Sequence, residues 1–235
     1  PGQRRVAVLH RGHDHAQRAD LPGAFAQEPL RPKAGRGKKV PVDLPPFILN
    51  PLSVRAFNTL FYGWHGNRRQ VITPYDPYFY PLDKIQDWNR MYGRQGFIQY
   101  QATLPLDQRQ GMTKLLERMS QSRRASFLAV LKIFGESSPG PLSHPMRGYT
   151  LTLDIANRPG LVPFLHELDS ILLAHGGRLY LAKDAAATPA TIAAMYPRLP
   201  EFLALKERLD PGGRFSSSMA RRLGLVPGEH NDAAA

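Results

Sequence analysis

Tyr149-Thr-Leu-Thr-Leu-Asp-Ile155 alternates without a break, Leu151, Leu153 and Ile155 on one side against Thr150, Thr152 and Asp154 on the other. Period-two alternation of this kind is the signature of a strand with one buried and one polar face. Gly96-Phe-Ile-Gln-Tyr-Gln-Ala-Thr-Leu104 repeats it, with Ile98, Tyr100, Ala102 and Leu104 opposite Phe97, Gln99, Gln101 and Thr103, and Pro105 ends it. A third run, Ser126 to Phe134, is rich in strand formers and stops at Gly135. Helical spacing intervenes at Met112, Leu115, Leu116 and Met119, and again at Leu161, Phe164, Leu165, Leu168, Ile171 and Leu172, where Gly176-Gly177 supplies a stop. Arg178 to Ala182 then reads as a short final strand. The order β-α-β-β-α-β predicts an α+β fold, the split ferredoxin-like arrangement of an antiparallel sheet with both helices on one face. Two or three short helices are expected between Thr188 and Leu225 as a C-terminal helical segment.

A chain of 235 residues buries roughly 70 to 75% of its unfolded surface, enough to give such a sheet a core. The absence of Cys removes disulfides, thiolate-held metals and thiol catalysis from consideration and fits a reducing compartment. No apolar run reaches the ~18 residues of a spanning helix. The chain opens on Pro-Gly-Gln-Arg-Arg, with neither Met nor the apolar core of a signal peptide, and reads as starting part-way through a longer protein. Residues 1–46 are Pro- and Gly-rich, apart from a candidate strand at Val6 to Leu9, and read as a connecting segment. Leu52, Ala56, Phe57, Leu60 and Phe61, after Pro51, predict a helix from Leu49 to Tyr62.

The formal net charge is +12, which points toward phosphates, anionic lipid or another polyanion. The basic stretch Arg31 to Lys39 lacks the interleaved aromatics of a nucleic-acid reader. No nucleic-acid partner is therefore expected, and a non-catalytic basic module binding nucleic acid or anionic membrane is the alternative to an enzyme. His10, His13 and His15 are close enough to converge on an ion, but no further ligand stands at a useful spacing, so no metal is assigned. Phosphate-binding glycine loops and the nucleophile elbow are missing as well.

Helices covering the Tyr100 and Leu153 side would leave the opposite face, with Gln99, Gln101, Thr103, Thr150, Thr152 and Asp154, uncovered. Lys132 shares the parity of Leu128, Val130 and Phe134, where burial without a polar partner would be expensive. That face is the expected docking side. Lys183, near the end of the last strand, is a candidate partner for phosphate, carboxylate or flavin.

Tyr80-Pro-Leu-Asp83, Asp87-Trp-Asn-Arg-Met-Tyr-Gly93, Gly96-Phe-Ile-Gln-Tyr-Gln101, Leu131-Lys-Ile-Phe-Gly135, Gly176-Gly-Arg-Leu-Tyr-Leu-Ala-Lys-Asp184, Met195-Tyr-Pro197 and the stretch from Asp210-Pro to Met219-Ala-Arg-Arg-Leu223 resemble the C-terminal half of a flavoenzyme family. These are the FAD-linked oxidases related to decaprenylphosphoryl-β-D-ribose oxidase and, more distantly, the aldonolactone and alditol oxidases of the vanillyl-alcohol-oxidase class. The resemblance implies a substrate-binding cap domain at 47–177, a return segment to the flavin domain at 178–235, and an N-terminal FAD-binding domain that this chain does not contain. It implies FAD as cofactor, with Lys183 catalytic and Tyr180 and Lys183 against the flavin. Gln99, Gln101, Lys132, Phe134, Thr150 and Thr152 fall on substrate-pocket positions, although Thr150 and Thr152 stand where mycobacterial members carry Asn and Cys. The implied reaction oxidises a CH–OH group of a sugar or polyprenyl-phosphosugar, with hydride passing to flavin N5. A short-chain-dehydrogenase-type reductase partner, a cytoplasmic or membrane-associated setting with peripheral membrane contact, and inactivity of the chain by itself complete the expectation.

Overall fold

The computed structural model describes residues 38–45, 47–65, 85–124 and 126–226. The candidate strand at Val6, the histidine tract, the Tyr80 to Asp83 motif and the chain end after Val226 lie outside these residues. Two compact units divide between Gly96 and Phe97.

In the first unit β1 (Lys38–Lys39) pairs in parallel with β2 (Ile85–Gln86). Helix α1 (Pro51–His65) carries the predicted spacing. Asn50 starts it: its Oδ1 accepts from the backbone N–H groups of Leu52 and Ser53 at 2.8 and 3.0 Å, while Ser53 Oγ accepts from the Asn50 N–H. This reciprocal cap, followed by Pro at the first helical position, satisfies donors that a helix start otherwise leaves open. A short 3₁₀ turn, Trp88–Tyr92, follows β2. Arg90 Nη1 donates to the Pro41 carbonyl at 2.7 Å and its Nε to Asp43 at 3.2 Å, tying this turn to the segment that follows β1.

The second unit is the predicted split β-α-β-β-α-β fold. Strands β3 (Phe97–Pro105), β4 (Ser126–Phe134), β5 (Gly148–Ala156) and β6 (Arg178–Leu179) form one antiparallel sheet in the order β4-β5-β3-β6. Helices α2 (Arg109–Gln121) and α3 (Leu161–Ala174) cover one face. Register puts Tyr100 opposite Leu153 and Ala102 opposite Leu151, and these four meet Met112, Leu115, Leu165, Leu168 and Leu172 in one buried cluster. Leu116, counted within the α2 stripe, is exposed instead. Gly176 stops α3 at φ +63°, and the Gly177 N–H reaches back to the Leu172 carbonyl at 2.8 Å, the left-handed helix ending that glycine accommodates without strain.

Two local features depart from the reading of periods. β4 carries a bulge: Ser126 stands opposite Ile155 but Ala129 opposite Leu153, so one extra residue is inserted. β6 ends at Leu179 rather than Ala182, because the Lys183 N–H closes a turn onto the Tyr180 carbonyl at 2.8 Å and Leu181–Lys183 becomes 3₁₀. Helices α4 (Pro189–Met195), α5 (Leu199–Leu209) and α6 (Ser218–Arg222) complete the unit. Ile192, Met195, Tyr196 and Leu223 from this segment enter the same buried cluster as the sheet, and the Tyr196 hydroxyl donates to the Leu179 carbonyl at 2.5 Å.

Candidate functional site

Alternation along β3 and β5 sends Gln99, Gln101, Thr103, Thr150, Thr152 and Asp154 to the side of the sheet away from α2 and α3. Cross-strand register arranges them in rows: Lys132, Thr150 and Thr103, then Arg178 on β6; Val130, Thr152 and Gln101; and Asp154 opposite Gln99. The face is not open to water as the sequence suggests. Thr103, Thr150 and Asp154 are buried, whereas Gln99, Gln101 and Thr152 are half-buried.

The loop between β4 and β5 covers one end. It brings His144 down onto Thr103, with Thr103 Oγ1 and His144 Nε2 3.1 Å apart. The imidazole lies 4.7 Å from the Tyr180 ring and edge-on to Phe134 at 5.8 Å, distances at which aromatic rings attract. Burial pushes His144 down to about 4, the Arg178 charge acting in the same direction against an interaction with the Leu179 backbone. The ring is therefore neutral at neutral pH and packs as an aromatic with a polar edge.

The other end is where charge gathers. Gln99 Nε2 donates to Asp154 Oδ1 at 2.6 Å, and Gln101 Nε2 donates to Thr150 Oγ1 at 3.3 Å. Burial raises the Asp154 carboxyl, opposed by the Gln99 hydrogen bond and by the charge of Lys183. The 3₁₀ turn after β6 thus sets the ammonium within electrostatic reach of the polar face. Tyr180, whose N–H donates to the Gln101 carbonyl at 2.9 Å, continues the row of Gln101 at the rim and is partly exposed. Asp184 next to Lys183 is held by Arg222, whose Nη1 also donates to the Asp184 and Ala187 carbonyls, both at 3.1 Å.

Of the residues expected at the site, Gln99, Gln101, Thr150, Thr152, Tyr180 and Lys183 come together. Lys132 is on the same face but exposed on the outermost strand, so the burial penalty expected for it does not arise. Phe134 is half-buried against His144. Sequence reasoning placed Asp154 on the face without naming it as a site residue and missed His144 altogether. Asp154 was discoverable from strand parity; His144 sits among Pro139, Pro141 and Pro145, where no period gives direction.

The D-arabinono-1,4-lactone oxidase family matches residues 155–223, a span that includes Tyr180, Lys183 and the α6 arginines. Over 94% of its length the chain is 36% identical to decaprenylphosphoryl-β-D-ribose oxidase of Mycolicibacterium smegmatis. Over these spans the chain resembles the FAD-linked oxidases. A Streptomyces coelicolor protein from the mprA 5′ region, itself uncharacterised, is 35% identical over 94% of the chain. The chain spans 48% and 61% of the lengths of these two relatives.

Proposed function

We propose that the polar sheet face is the substrate side of an FAD-dependent oxidoreductase acting on a CH–OH group of a sugar or sugar-lipid, of the decaprenylphosphoryl-ribose 2′-hydroxyl or aldonolactone kind. The observation that carries this reading is the convergence of a cation, Lys183, with a buried carboxylate, Asp154, and two amides, Gln99 and Gln101, at the half-buried end of the face. Such a set fits a flavin ring, which offers carbonyl acceptors to a cation, and a polyhydroxyl substrate, which offers donors and acceptors to amides. Tyr180 and Lys183 would hold the cofactor; FAD, when bound, supplies the hydride acceptor.

The protein residues supply orientation and charge. Lys183 would stabilise the negative charge that a bound flavin gains with the hydride lost from the carbinol carbon, and a preorganised cation in a half-dry site is worth far more than one in water. Asp154, fixed by the Gln99 amide, lies within electrostatic reach of that cation. Gln101 and Thr152 present polar groups for substrate hydroxyls, with Thr150 fixing the Gln101 amide. Phe134, wedged by His144, gives the sugar an apolar wall. Lys132, exposed on β4, is placed for the phosphate of a polyprenyl-phosphosugar. A lipid-linked substrate brings the enzyme into peripheral membrane contact, and a short-chain-dehydrogenase-type reductase is the class of partner that would reduce a keto-sugar product.

Lys183→Ala, in an enzyme assembled with a flavin-binding domain, is expected to slow flavin reduction by ~10²-fold or more. Stopped-flow reduction by the sugar substrate measures it, with folding checked separately. Equal rates in variant and wild type would return Lys183 to the role of an ordinary surface residue.

A further inference from the structure

The loop from β4 to β5, residues 135–147, has no period of its own, yet it is fixed at several points. Arg178 Nη1 donates to the Ser143 carbonyl and Arg198 Nη1 to the Pro139 carbonyl, both at 2.9 Å. Ser143 Oγ accepts from the Ser138 N–H at 3.1 Å and donates to the Pro145 carbonyl at 3.2 Å, and Leu142 packs against the buried cluster. Pro139, Pro141 and Pro145 restrict the backbone between these ties, so the loop delivers His144 to one place. His144 is 5% exposed there. Thr103 Oγ1 stands 3.1 Å from its Nε2, and rings pack on it from two strands: Tyr180, just after β6, at a tilt of 32°, and Phe134, on β4, nearly perpendicular at 89°.

We propose that His144 is a positioning residue, whose ring holds the Tyr180 ring in the orientation that meets the flavin. Tyr180 needs such a support. Its backbone N–H is tied to the Gln101 carbonyl, but that bond does not fix the side-chain torsions, and the residue is 36% exposed. An exposed aromatic keeps its rotamer freedom unless a neighbour packs on it, and the imidazole, at 4.7 Å between centroids, is that neighbour. The imidazole is itself pinned, by Thr103 at one edge and Phe134 beside it. Tyr180 is thereby ordered before a cofactor arrives, which spares the cost of freezing it on binding. The inference rests on the reading of Tyr180 as a flavin-side residue, and goes beyond it by naming the side chain, on a different loop, that sets its orientation.

His144→Leu and His144→Phe separate positioning from space-filling, because both fill the site and both lose the Thr103 contact, but Phe alone keeps a ring against Tyr180. The purified chain is labelled with fluorotyrosine, and the Tyr180 signal is assigned by its loss in Tyr180→Phe. In the fluorine NMR spectrum His144→Leu is expected to move the Tyr180 resonance toward that of free fluorotyrosine while the buried tyrosines stay in place, which also shows that the variant is folded; His144→Phe is expected to keep the Tyr180 resonance near its wild-type position. In the enzyme assembled with a flavin-binding domain, flavin reduction at saturating sugar is expected to slow by ~10-fold or more in His144→Leu and to stay within ~2-fold of wild type in His144→Phe. A Tyr180 resonance that does not move in His144→Leu, or that moves equally in His144→Phe, overturns the proposal without reference to any flavin. Equal reduction rates in wild type and His144→Leu overturn it as well. Equal rates in wild type and Lys183→Ala overturn the redox reading alone, and the fluorine signal still decides whether His144 orders Tyr180.

Discussion

Asp169 and His144 are buried groups on opposite faces of the sheet, and burial tilts the pH dependence of stability in opposite directions. Asp169 accepts from the Tyr100 hydroxyl at 2.8 Å. Burial pushes its carboxyl up to about 6, against the pull of that hydrogen bond and of His166. An acid whose folded pKa lies above its unfolded value binds its proton more tightly in the folded state. Its contribution is full below about pH 4 and declines as pH rises through about 6. His144, held down at about 4, does the reverse: its contribution is full above about 6.5 and is lost as pH falls toward 4. Asp169→Asn keeps a partner for Tyr100 and removes the titration. Relative to wild type, the variant should gain up to about 3 kcal/mol in unfolding free energy between pH 4 and pH 7. Urea titrations at intervals across that range measure the difference, and parallel curves for the two proteins would show that Asp169 does not titrate as described. Asp154 and Lys183 show the same division between what parity and environment each reveal. Parity alone put Asp154 on the polar face, but the ammonium that moderates it arrives from a turn beyond β6, which no period indicates.

At the scale of elements, close backbone approach and edge position decide what a substitution does. A Cβ on Gly148, the first residue of β5, would lie 2.1 Å from the Leu104 carbonyl oxygen. Gly148→Ala should therefore cost ~2 kcal/mol or more by forcing β3 and β5 apart at that end. An unchanged thermal midpoint would mean that the strands part there without penalty. The helix-facing side of the sheet is less uniform than its apolar sequence suggests. Leu165 on α3 is fully buried, whereas Ile133 on β4 is 68% exposed although it shares the parity of Leu131 and Ala129. Leu165→Ala is expected to cost about 2–5 kcal/mol, and Ile133→Thr to stay within ~0.5 kcal/mol. Denaturant midpoints compare them, and similar losses at the two sites would contradict the burial assigned to β4. β4 is an edge strand, and the two helices pack chiefly against β3 and β6 at the other side of the sheet, which leaves it partly bare.

For the whole molecule, the chain spans about half the length of its Mycolicibacterium relative, and the residues proposed to meet the flavin ring, Tyr180 and Lys183, lie together in the turn that follows β6. A surface that touches a dinucleotide only at its ring offers few of the contacts that hold the rest of the cofactor. The purified chain should therefore carry no stoichiometric flavin. Visible absorbance of the eluted protein reports this, and a one-to-one yellow complex would refute it. Much of the second unit was legible in the sequence, because the periods of Tyr149 to Ile155, Gly96 to Leu104 and Leu161 to Leu172 are local consequences of pleat and helix pitch. Their order then restricts the pairing to few arrangements. The sequence alone thus determined the split α+β fold and which side chains share the polar face. Tertiary structure decided how wet that face is: His144 descends from a proline-rich loop onto Thr103, and the 3₁₀ turn after β6 brings the Lys183 charge to bear on Asp154. Loops and turns carry no hydrophobic period, so the position of a side chain on one of them follows from what the rest of the fold leaves room for.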